Sequence, residues 1–300
     1  MELKISIGTI TLSNPTMLAA GIMGSVASSL RRIMACGAGA VVTKSVGLEP
    51  REGYPGPVLV ETPSGYLNAL GLSNMGLAFM DELEQLRNSD NRTPVIVSVF
   101  ADCAEDFVKL AQKLCKYADA LELNLSCPHA EGYGMEVGTE PAAVEAIVNS
   151  VRRCVGVPIW VKLTPNVTDI VTIGQAAEKG GADAVVAINT VRGMAIDIAS
   201  RRPILSNKFG GLSGSAIKPI AIKNVYDLYG ALDIPIIGVG GISSCEDALE
   251  FIFAGARAVQ IGSAFARNQS VFRQVAQGID SYLAAKNDVL EEVVGIAHRE

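Results

Sequence analysis

The chain has 300 residues, of which 49% are hydrophobic and 19% charged, and its formal net charge is -6. This composition is typical of a packed α/β core, and the acidic balance argues against nucleic-acid binding, because the phosphate backbone would repel the chain. The N-terminus lacks the pattern of a signal peptide, and no apolar run approaches the roughly 18 residues that span a bilayer. We therefore expect a cytoplasmic protein without a membrane segment.

Short apolar runs alternate with longer amphipathic stretches along the whole chain, which predicts repeated βα units. Eight candidate strands follow one another at 16–20, 40–43, 95–100, 120–125, 159–163, 184–188, 236–239 and 258–261. The clearest helices are predicted at 105–117, 140–154, 169–179, 217–232 and 245–253. Eight such units favour a closed (β/α)8 TIM barrel, with residues 1–300 as a single domain. The Rossmann alternative requires Gly-x-Gly-x-x-Gly after the first strand, and residues 21–24 do not supply it.

Three segments depart from this rhythm. Residues 4–13 alternate around Gly8 and predict an N-terminal hairpin that closes the bottom of the barrel. The stretches 44–93 and 189–216 are too long for ordinary connections after strands 2 and 6. Because loops after barrel strands lie over the C-terminal face, both insertions are expected beside the active site.

Polar residues end four of the predicted strands, where a packed core gives no reason for them. They are Lys44 and Ser45 after strand 2, Asn124 and Cys127 after strand 4, Lys162 and Thr164 at the end of strand 5, and Asn189 and Thr190 after strand 6. Each alone could be a solvated loop start, but together they predict a site at the barrel mouth. For Lys162 the alternative is an ion pair with Glu122.

Glycines end the last two strands, at Gly240 and Gly241 after strand 7 and at Gly262 before Ser263 after strand 8. Backbone N–H groups at this place bind phosphate in many barrels, although tight turns alone would also explain the glycines.

The chain has six cysteines, Cys36, Cys103, Cys115, Cys127, Cys154 and Cys245, and none forms a Cys-x-x-Cys pair. The spacing therefore predicts no metal or iron–sulfur site in this chain, and most of the thiols are expected to be buried small hydrophobes.

Several motifs in order resemble the type 1 dihydroorotate dehydrogenases over nearly the whole chain. They are NALGLSN at 68–74, NLSCP at 124–128, VKLTPN at 161–166, INT at 188–190, GGLSGSAIKP at 210–219 and GVGGI at 238–242. The resemblance implies an FMN enzyme of pyrimidine biosynthesis that oxidises dihydroorotate to orotate, with Cys127 as the base. It implies that the substrate is held by Lys44, Asn68, Ala69, Leu70, Gly71, Leu72, Asn124, Asn189 and Thr190. It implies that FMN contacts Ser25, Lys44, Ser45, Asn124, Lys162, Ile188, Gly214, Gly240, Gly241, Gly262 and Ser263.

The residue chemistry agrees with this assignment. Asn side chains carry a donor and an acceptor that match the amide edges of dihydroorotate, and Lys44 offers a cation for its carboxylate. The chain has only two histidines, His129 and His298. A thiolate is therefore a reasonable base for the proton at carbon 5, while the flavin takes the hydride from carbon 6.

The loop at 129–141 resembles the NAD-linked type (class 1B) more than the fumarate-linked type. That resemblance implies a homodimer that assembles into a heterotetramer with a subunit carrying FAD and a 2Fe–2S cluster. Two positions depart from the family pattern, which has Asn where this chain has Ser98 and His129. The alternatives are the fumarate-linked type, an FMN barrel acting on another dihydropyrimidine, a barrel isomerase or lyase without flavin, and a binding protein without catalysis.

Overall fold

Eight short parallel strands close into the barrel that the sequence predicts, in a computed structural model that describes residues 3–88, 93–126 and 137–299. The strands are Thr16–Leu18, Ala40–Val42, Val95–Val99, Ala120–Asn124, Ile159–Leu163, Ala184–Ala187, Ile236–Val239 and Ala256–Ile261. They pair with their sequence neighbours, and the eighth strand closes on the first through Gln260 beside Met17. Their apolar residues are buried on both faces, as expected for parallel strands covered by helices.

Helices follow the strands around the outside of the barrel. Those of the first seven units are Ala27–Ala35, Phe79–Arg87, Ala104–Leu114, Pro141–Arg152, Ile170–Lys179, Lys218–Tyr229 and Cys245–Phe253. The eighth strand is followed by Ser263–Arg267, Val271–Lys286 and Leu290–Val293. Local chemistry explains several starts: Asp169 accepts hydrogen bonds from the first turn of its helix, and Pro141 occupies a first-turn position that lacks a hydrogen-bond partner anyway.

The predicted N-terminal hairpin pairs Ile5–Ile7 with Ile10–Leu12 in antiparallel register. Gly8 turns the chain with a φ of +57°. The side chain of Arg257, at the start of the eighth strand, donates from Nε to the Ser6 carbonyl at 2.6 Å. The hairpin therefore lies at the N-terminal end of the barrel, opposite the strand ends that were predicted to form the site.

The two long insertions join into one sheet, which sequence reasoning did not predict. Its four antiparallel strands stand in the order Val191–Gly193, Gly210–Ser213, Gly65–Asn68 and Leu59–Thr62. A small buried cluster of Leu67, Ala69 and Leu205 packs beneath it. A second, two-stranded ribbon pairs Ile196–Asp197 with Arg202–Pro203. The sheet holds the insertion after strand 2 against the insertion after strand 6.

The expectation that most cysteines are buried was wrong for those that the structure describes. Cys103 and Cys154 are exposed, and Cys36, Cys115 and Cys245 are partly exposed. Cys103 directly precedes the helix Ala104–Leu114, and Cys154 follows the end of the helix Pro141–Arg152. Both side chains face solvent at these positions and do not enter the core. Within 3–88, 93–126 and 137–299, no helix is long and apolar enough to cross a membrane.

Candidate active site

Side chains from four strand ends form one hydrogen-bonded row at the barrel mouth. The hydroxyl oxygens of Ser45 and Ser98 lie 2.9 Å apart. Asn124 donates from Nδ2 to the Ser45 oxygen at 3.3 Å, and Asn189 donates from Nδ2 to Oδ1 of Asn124 at 3.3 Å. The parallel register brings the carboxyl ends of these strands to the same edge, as the sequence predicts. Ser98, one of the two positions that depart from the pattern implied by the resemblance, belongs to this row.

The end of the sixth strand is held by residues whose role the sequence did not reveal. Thr190 donates its backbone N–H to Oδ1 of Asn189 at 2.8 Å. Asn166 donates from Nδ2 to the Thr190 carbonyl at 3.2 Å and to Thr164 Oγ1 at 3.0 Å. Asn166 was noted only as part of a motif, whereas Thr164 was among the polar residues predicted at the barrel mouth. Their contacts orient Asn189 towards Asn124.

The Asn68–Leu72 segment reaches the same row through the insertion sheet. Asn68 donates from Nδ2 to the Gly211 carbonyl at 3.2 Å. A Cβ atom on Gly211 would lie only 2.1 Å from the Thr190 hydroxyl oxygen, so the two residues are in close contact. The turn that follows uses positive φ angles at Gly71 and Leu72, of 68° and 57°. The predicted substrate residues from both insertions therefore lie together.

Ser25, Lys44 and Ser45 line a cavity of about 290 Å³ beside this row. The loop after the first strand meets the end of the second, because the Lys44 N–H donates to the Gly24 carbonyl at 3.0 Å. Sequence reasoning missed other residues that line this cavity: Val46, Arg51, Met75 and Phe79. Asn74 lines it too and accepts backbone N–H groups of Gly47 and Gly76 at 3.2 and 2.8 Å.

Lys162 lies below the mouth, where its ammonium contacts two buried side chains, Gln260 and Glu122. Its Nζ atom donates to Gln260 Oε1 at 3.2 Å and lies 3.7 Å from Oε1 of Glu122. Gln260 in turn donates from Nε2 to Glu122 Oε2 at 2.7 Å. The ion pair with Glu122, which the sequence left as the alternative for Lys162, is therefore present. A contact between Lys162 and a cofactor stays a prediction.

Three of the glycines predicted to bind a phosphate, Gly214, Gly240 and Gly241, lie on two loops that contact each other. Gly214, Gly240 and Gly241 have φ angles of 100°, 135° and 75°, which residues other than glycine rarely adopt. A Cβ atom on Gly241 would lie 2.8 Å from the Gly214 carbonyl oxygen, so the loops after strands 6 and 7 touch. Ile188 joins them through its N–H, which donates to the Val239 carbonyl at 2.9 Å.

Gly262 lies on a separate loop, after the eighth strand. A Cβ atom there would meet Ala19 and Ile22 only at ordinary van der Waals distance, of 3.5 and 3.8 Å. Packing therefore does not require glycine at this position. Ser263 begins the short helix that follows.

A charged cluster braces the loops after strands 6 and 7. Lys218 donates from Nζ to Asp247 Oδ1 at 2.7 Å, and Asp247 Oδ2 accepts the N–H and hydroxyl of Ser243 at 2.8 and 2.9 Å. Burial raises the pKa of the Asp247 carboxyl, but the hydrogen bonds from Lys218 and Ser243 outweigh it and hold that pKa below its ordinary value. The hydrogen bond to Asp247 raises the pKa of Lys218. Ser244 and Asp247 also form a capping box on the helix Cys245–Phe253.

Two residues singled out in the sequence, Cys127 and His129, lie outside the described residues. The described part of the fourth strand and its loop ends at Ser126, whose N–H donates to Asn124 Oδ1 at 3.3 Å. The Ser126 hydroxyl oxygen is buried and has no hydrogen-bond partner among the described residues. Cys127 follows it directly in the chain.

A larger open groove, of about 560 Å³, lies on the outer surface along the helix Lys218–Tyr229. It is lined by Lys218, Pro219, Ile222, Lys223, Tyr226 and Glu250. None of these was predicted to bind the substrate or the cofactor. The predicted residues lie instead around the smaller cavity and in the polar row at the barrel mouth.

Comparison with known proteins agrees with this geometry. The family model for dihydroorotate dehydrogenase matches residues 2–283. Three archaeal relatives bear the name dihydroorotate dehydrogenase B (NAD(+)), catalytic subunit. That of Methanocella arvoryzae is 55% identical over 300 residues, which are 100% of this chain and 99% of the relative. That of Methanocaldococcus jannaschii is 51% identical and covers 99% of this chain and 98% of its own length. That of Pyrococcus furiosus is 51% identical over the full length of both chains.

The motifs noted in the sequence lie within the matched residues, on a barrel whose strand ends form one polar site. The relatives match end to end, so the likeness extends to the barrel and to both insertions. The chain belongs to the dihydroorotate dehydrogenase family.

Proposed function

We propose that this protein oxidises (S)-dihydroorotate to orotate in the synthesis of UMP, with FMN as its cofactor and Cys127 as the base. The single observation that carries the proposal is the row of amide and hydroxyl side chains from Ser45 through Asn124 and Asn189 to Thr190. Two adjacent carboxamides can match the alternating donors and acceptors of a dihydropyrimidine ring. A phosphate-binding isomerase or lyase would not need this row.

The substrate is held from two sides in this proposal. Asn124, Asn189 and Thr190 come from the barrel, while the Asn68–Leu72 segment comes from the insertion sheet through its contact with Gly211. Lys44 lines the adjoining cavity and supplies the cation for the carboxylate. Holding the ring between fixed groups reduces the entropy lost in reaching the transition state.

Cys127 takes the proton from carbon 5 in this proposal. The residue follows Ser126 at the end of the fourth strand, and the neighbouring Ser126 N–H is bound to Asn124. A thiolate is the reactive form of cysteine, and a pKa lowered by a nearby cation makes it available near neutral pH. A positioned base of this kind typically accelerates a reaction by about 10²- to 10⁴-fold.

Residues at the barrel mouth support FMN binding in this proposal. Lys162 donates only one hydrogen bond within the described residues, so its ammonium has donors left for a ligand. FMN would contact Ser25, Lys44, Ser45, Asn124, Lys162 and Ile188, with Gly214, Gly240, Gly241, Gly262 and Ser263 around its phosphate. When bound, a flavin accepts the hydride that leaves carbon 6.

The electrons pass on to NAD through a partner subunit that carries FAD and a 2Fe–2S cluster, in a heterotetramer built on a homodimer of this chain. The relatives named as NAD(+)-type catalytic subunits support this acceptor. The fumarate-linked type is the alternative. Co-purification of a cluster-containing subunit, with NAD reduction only in its presence, distinguishes the two.

The visible spectrum of the purified protein tests the cofactor. We expect flavin absorption bands, or their appearance after apoprotein is mixed with FMN. A colourless protein that cannot be reconstituted with FMN would overturn the proposal.

A further inference from the structure

Glu122 is the one acidic side chain buried in the barrel interior among the described residues, with 0% of its surface exposed. A carboxylate in a dry core is costly unless charges and hydrogen bonds compensate it. Glu122 has no role in the proposed oxidation of dihydroorotate. The contacts that stabilise its buried carboxylate therefore indicate another role.

Glu122, Gln260 and Lys162 each contact the other two in the barrel interior. Gln260 presents its amide N–H to the Glu122 carboxylate at 2.7 Å and its amide oxygen to the Lys162 ammonium at 3.2 Å. That orientation suits a negative Glu122 and a positive Lys162 together, because the amide donates to one and accepts from the other. The Glu122–Lys162 distance of 3.7 Å adds a direct ion pair.

The register places this group directly beneath the site. Asn124 pairs with Lys162 across the fourth and fifth strands, and Glu122 precedes Asn124 by two residues. Residues two apart on a strand point to the same face, so Glu122 lies one layer deeper in the barrel than Asn124. Gln260 comes from the eighth strand, which stands opposite the fourth in the closed barrel. Its hydrogen bond to Glu122 therefore crosses the interior below the mouth.

We infer that Glu122 and Gln260 are positioning residues that hold Lys162 at the floor of the site, and that the charge of Glu122 sets the electrostatic field acting on the bound flavin. This inference rests on the proposed FMN function. Oε1 of Glu122 is buried and accepts no hydrogen bond in the described part of the chain, so its only counter-charge there is the Lys162 ammonium, 3.7 Å away. Reduction adds negative charge to a flavin, and a carboxylate below Lys162 opposes that charge.

Glu122→Gln keeps the shape of the side chain and removes the charge. Lys162 then remains as an uncompensated cation beside the flavin, so we expect the midpoint potential of bound FMN to rise. The expected change in the reduction equilibrium is at least tenfold, which is about 30 mV for a two-electron couple. The measurement is a spectroscopic redox titration of the FMN-loaded protein against a dye of known potential.

Two further variants separate charge from structure. Glu122→Asp keeps the charge, and we expect its potential to stay near that of the unmodified protein. Glu145→Gln removes an equal charge from the outer surface, where Glu145 pairs with Lys179, and should leave the potential unchanged. A merely structural role of Glu122 would lower thermal stability or FMN content without moving the potential of the loaded fraction.

Gln260→Met provides a test that does not depend on whether Glu122→Gln folds. It keeps both charges and removes the amide that links them, so we expect FMN to bind at least about threefold more weakly in a fluorescence titration. Unchanged FMN affinity in Gln260→Met would contradict the role of Gln260 in positioning Lys162. An unchanged midpoint potential in Glu122→Gln would contradict an electrostatic effect of the Glu122 charge on the flavin. In either case an unmodified protein that binds FMN and is reduced by dihydroorotate leaves the proposed function standing. An unmodified protein that takes up no FMN overturns both proposals.

Discussion

At the scale of single residues, the candidate site depends on side chains at or just after the carboxyl ends of strands. Asn124 and Asn189 contact each other although 65 positions separate them in the chain. Asn at the end of an apolar strand is visible in the sequence, which is why both residues could be predicted. Their contact follows from the parallel register, which brings all strand ends to one face of the barrel.

Replacing Cys127 by Ala should lower turnover by about 10²- to 10⁴-fold, because the proton at carbon 5 then lacks its base. FMN should still bind, since the proposed cofactor contacts do not include the thiol. Stopped-flow reduction by dihydroorotate and the flavin spectrum measure the two effects separately.

Cys154→Ala is the matched control, because Cys154 is an exposed free thiol near the end of an outer helix. It should have unchanged turnover. Equal turnover of Cys127→Ala and Cys154→Ala would remove Cys127 from the mechanism.

Other residues of the site could not be predicted from the sequence. Gln260 lies in a buried strand, and its importance depends on Glu122 lying across the interior, which no local pattern reveals. Asn166 likewise acts through the carbonyl of Thr190, 24 positions away. For Lys162 the residue type left two roles open, and the structure shows the ion pair while the cofactor contact stays a prediction.

At the scale of elements, the sequence predicts all eight barrel strands and the N-terminal hairpin, because each is a continuous apolar or alternating run bounded by turn residues. It does not predict the insertion sheet. The strands of that sheet are short and partly exposed, and Gly65–Asn68 pairs with Gly210–Ser213 from a segment far along the chain. Pairing between distant segments leaves no periodic signal in either one.

Gly65→Ala should disrupt the sheet that joins the two insertions. A Cβ atom on Gly65 would lie 1.8 Å from the Ser213 carbonyl oxygen, so the strands must separate. We expect a loss of about 1–3 kcal/mol in the free energy of unfolding, the usual cost of overpacking, and a raised KM for dihydroorotate. Urea denaturation and steady-state kinetics measure the two.

Gly156→Ala is the control for this substitution, because a Cβ atom on Gly156 meets nothing within 4 Å. Its stability and KM should match those of the unmodified protein. A Gly65→Ala protein with normal KM would show that the sheet does not position the Asn68–Leu72 segment.

Asp247→Asn should weaken the brace between the loops after strands 6 and 7. The pKa of Asp247 is lowered in the folded protein, so its stabilising effect is present above its unfolded pKa of about 3.9 and is lost as the pH falls through the folded value. The pKa of Lys218 is raised, so its contribution persists below about 10.4 and disappears as the pH rises past the folded value.

The free energy of unfolding of Asp247→Asn should therefore fall about 1–3 kcal/mol below that of the unmodified protein between about pH 5 and pH 10. Below about pH 4 the two stability curves should converge. Urea unfolding across this pH range measures the difference. A gap that persists undiminished at low pH would contradict the assigned charge of Asp247.

At the scale of the whole molecule, the closed barrel explains why one chain can bring together the polar row proposed to bind the substrate, the glycine loops proposed to bind phosphate, and a buried charged group. The polar row lies at the carboxyl ends of strands 2, 3, 4 and 6, and the glycine loops follow strands 6, 7 and 8. The fold was predictable because eight βα units repeat along the chain. Organisation of residues 1–300 as a single domain stays a prediction, as does assembly with an electron-transfer subunit.

We propose that dihydroorotate gives its electrons to FMN held at this barrel mouth. Anaerobic titration of the FMN-loaded protein with dihydroorotate tests it most directly, with absorbance followed in the flavin bands. We expect the bands to bleach on addition of dihydroorotate and orotate to form in equal amount. Bands that persist with dihydroorotate but bleach with another dihydropyrimidine would contradict the account.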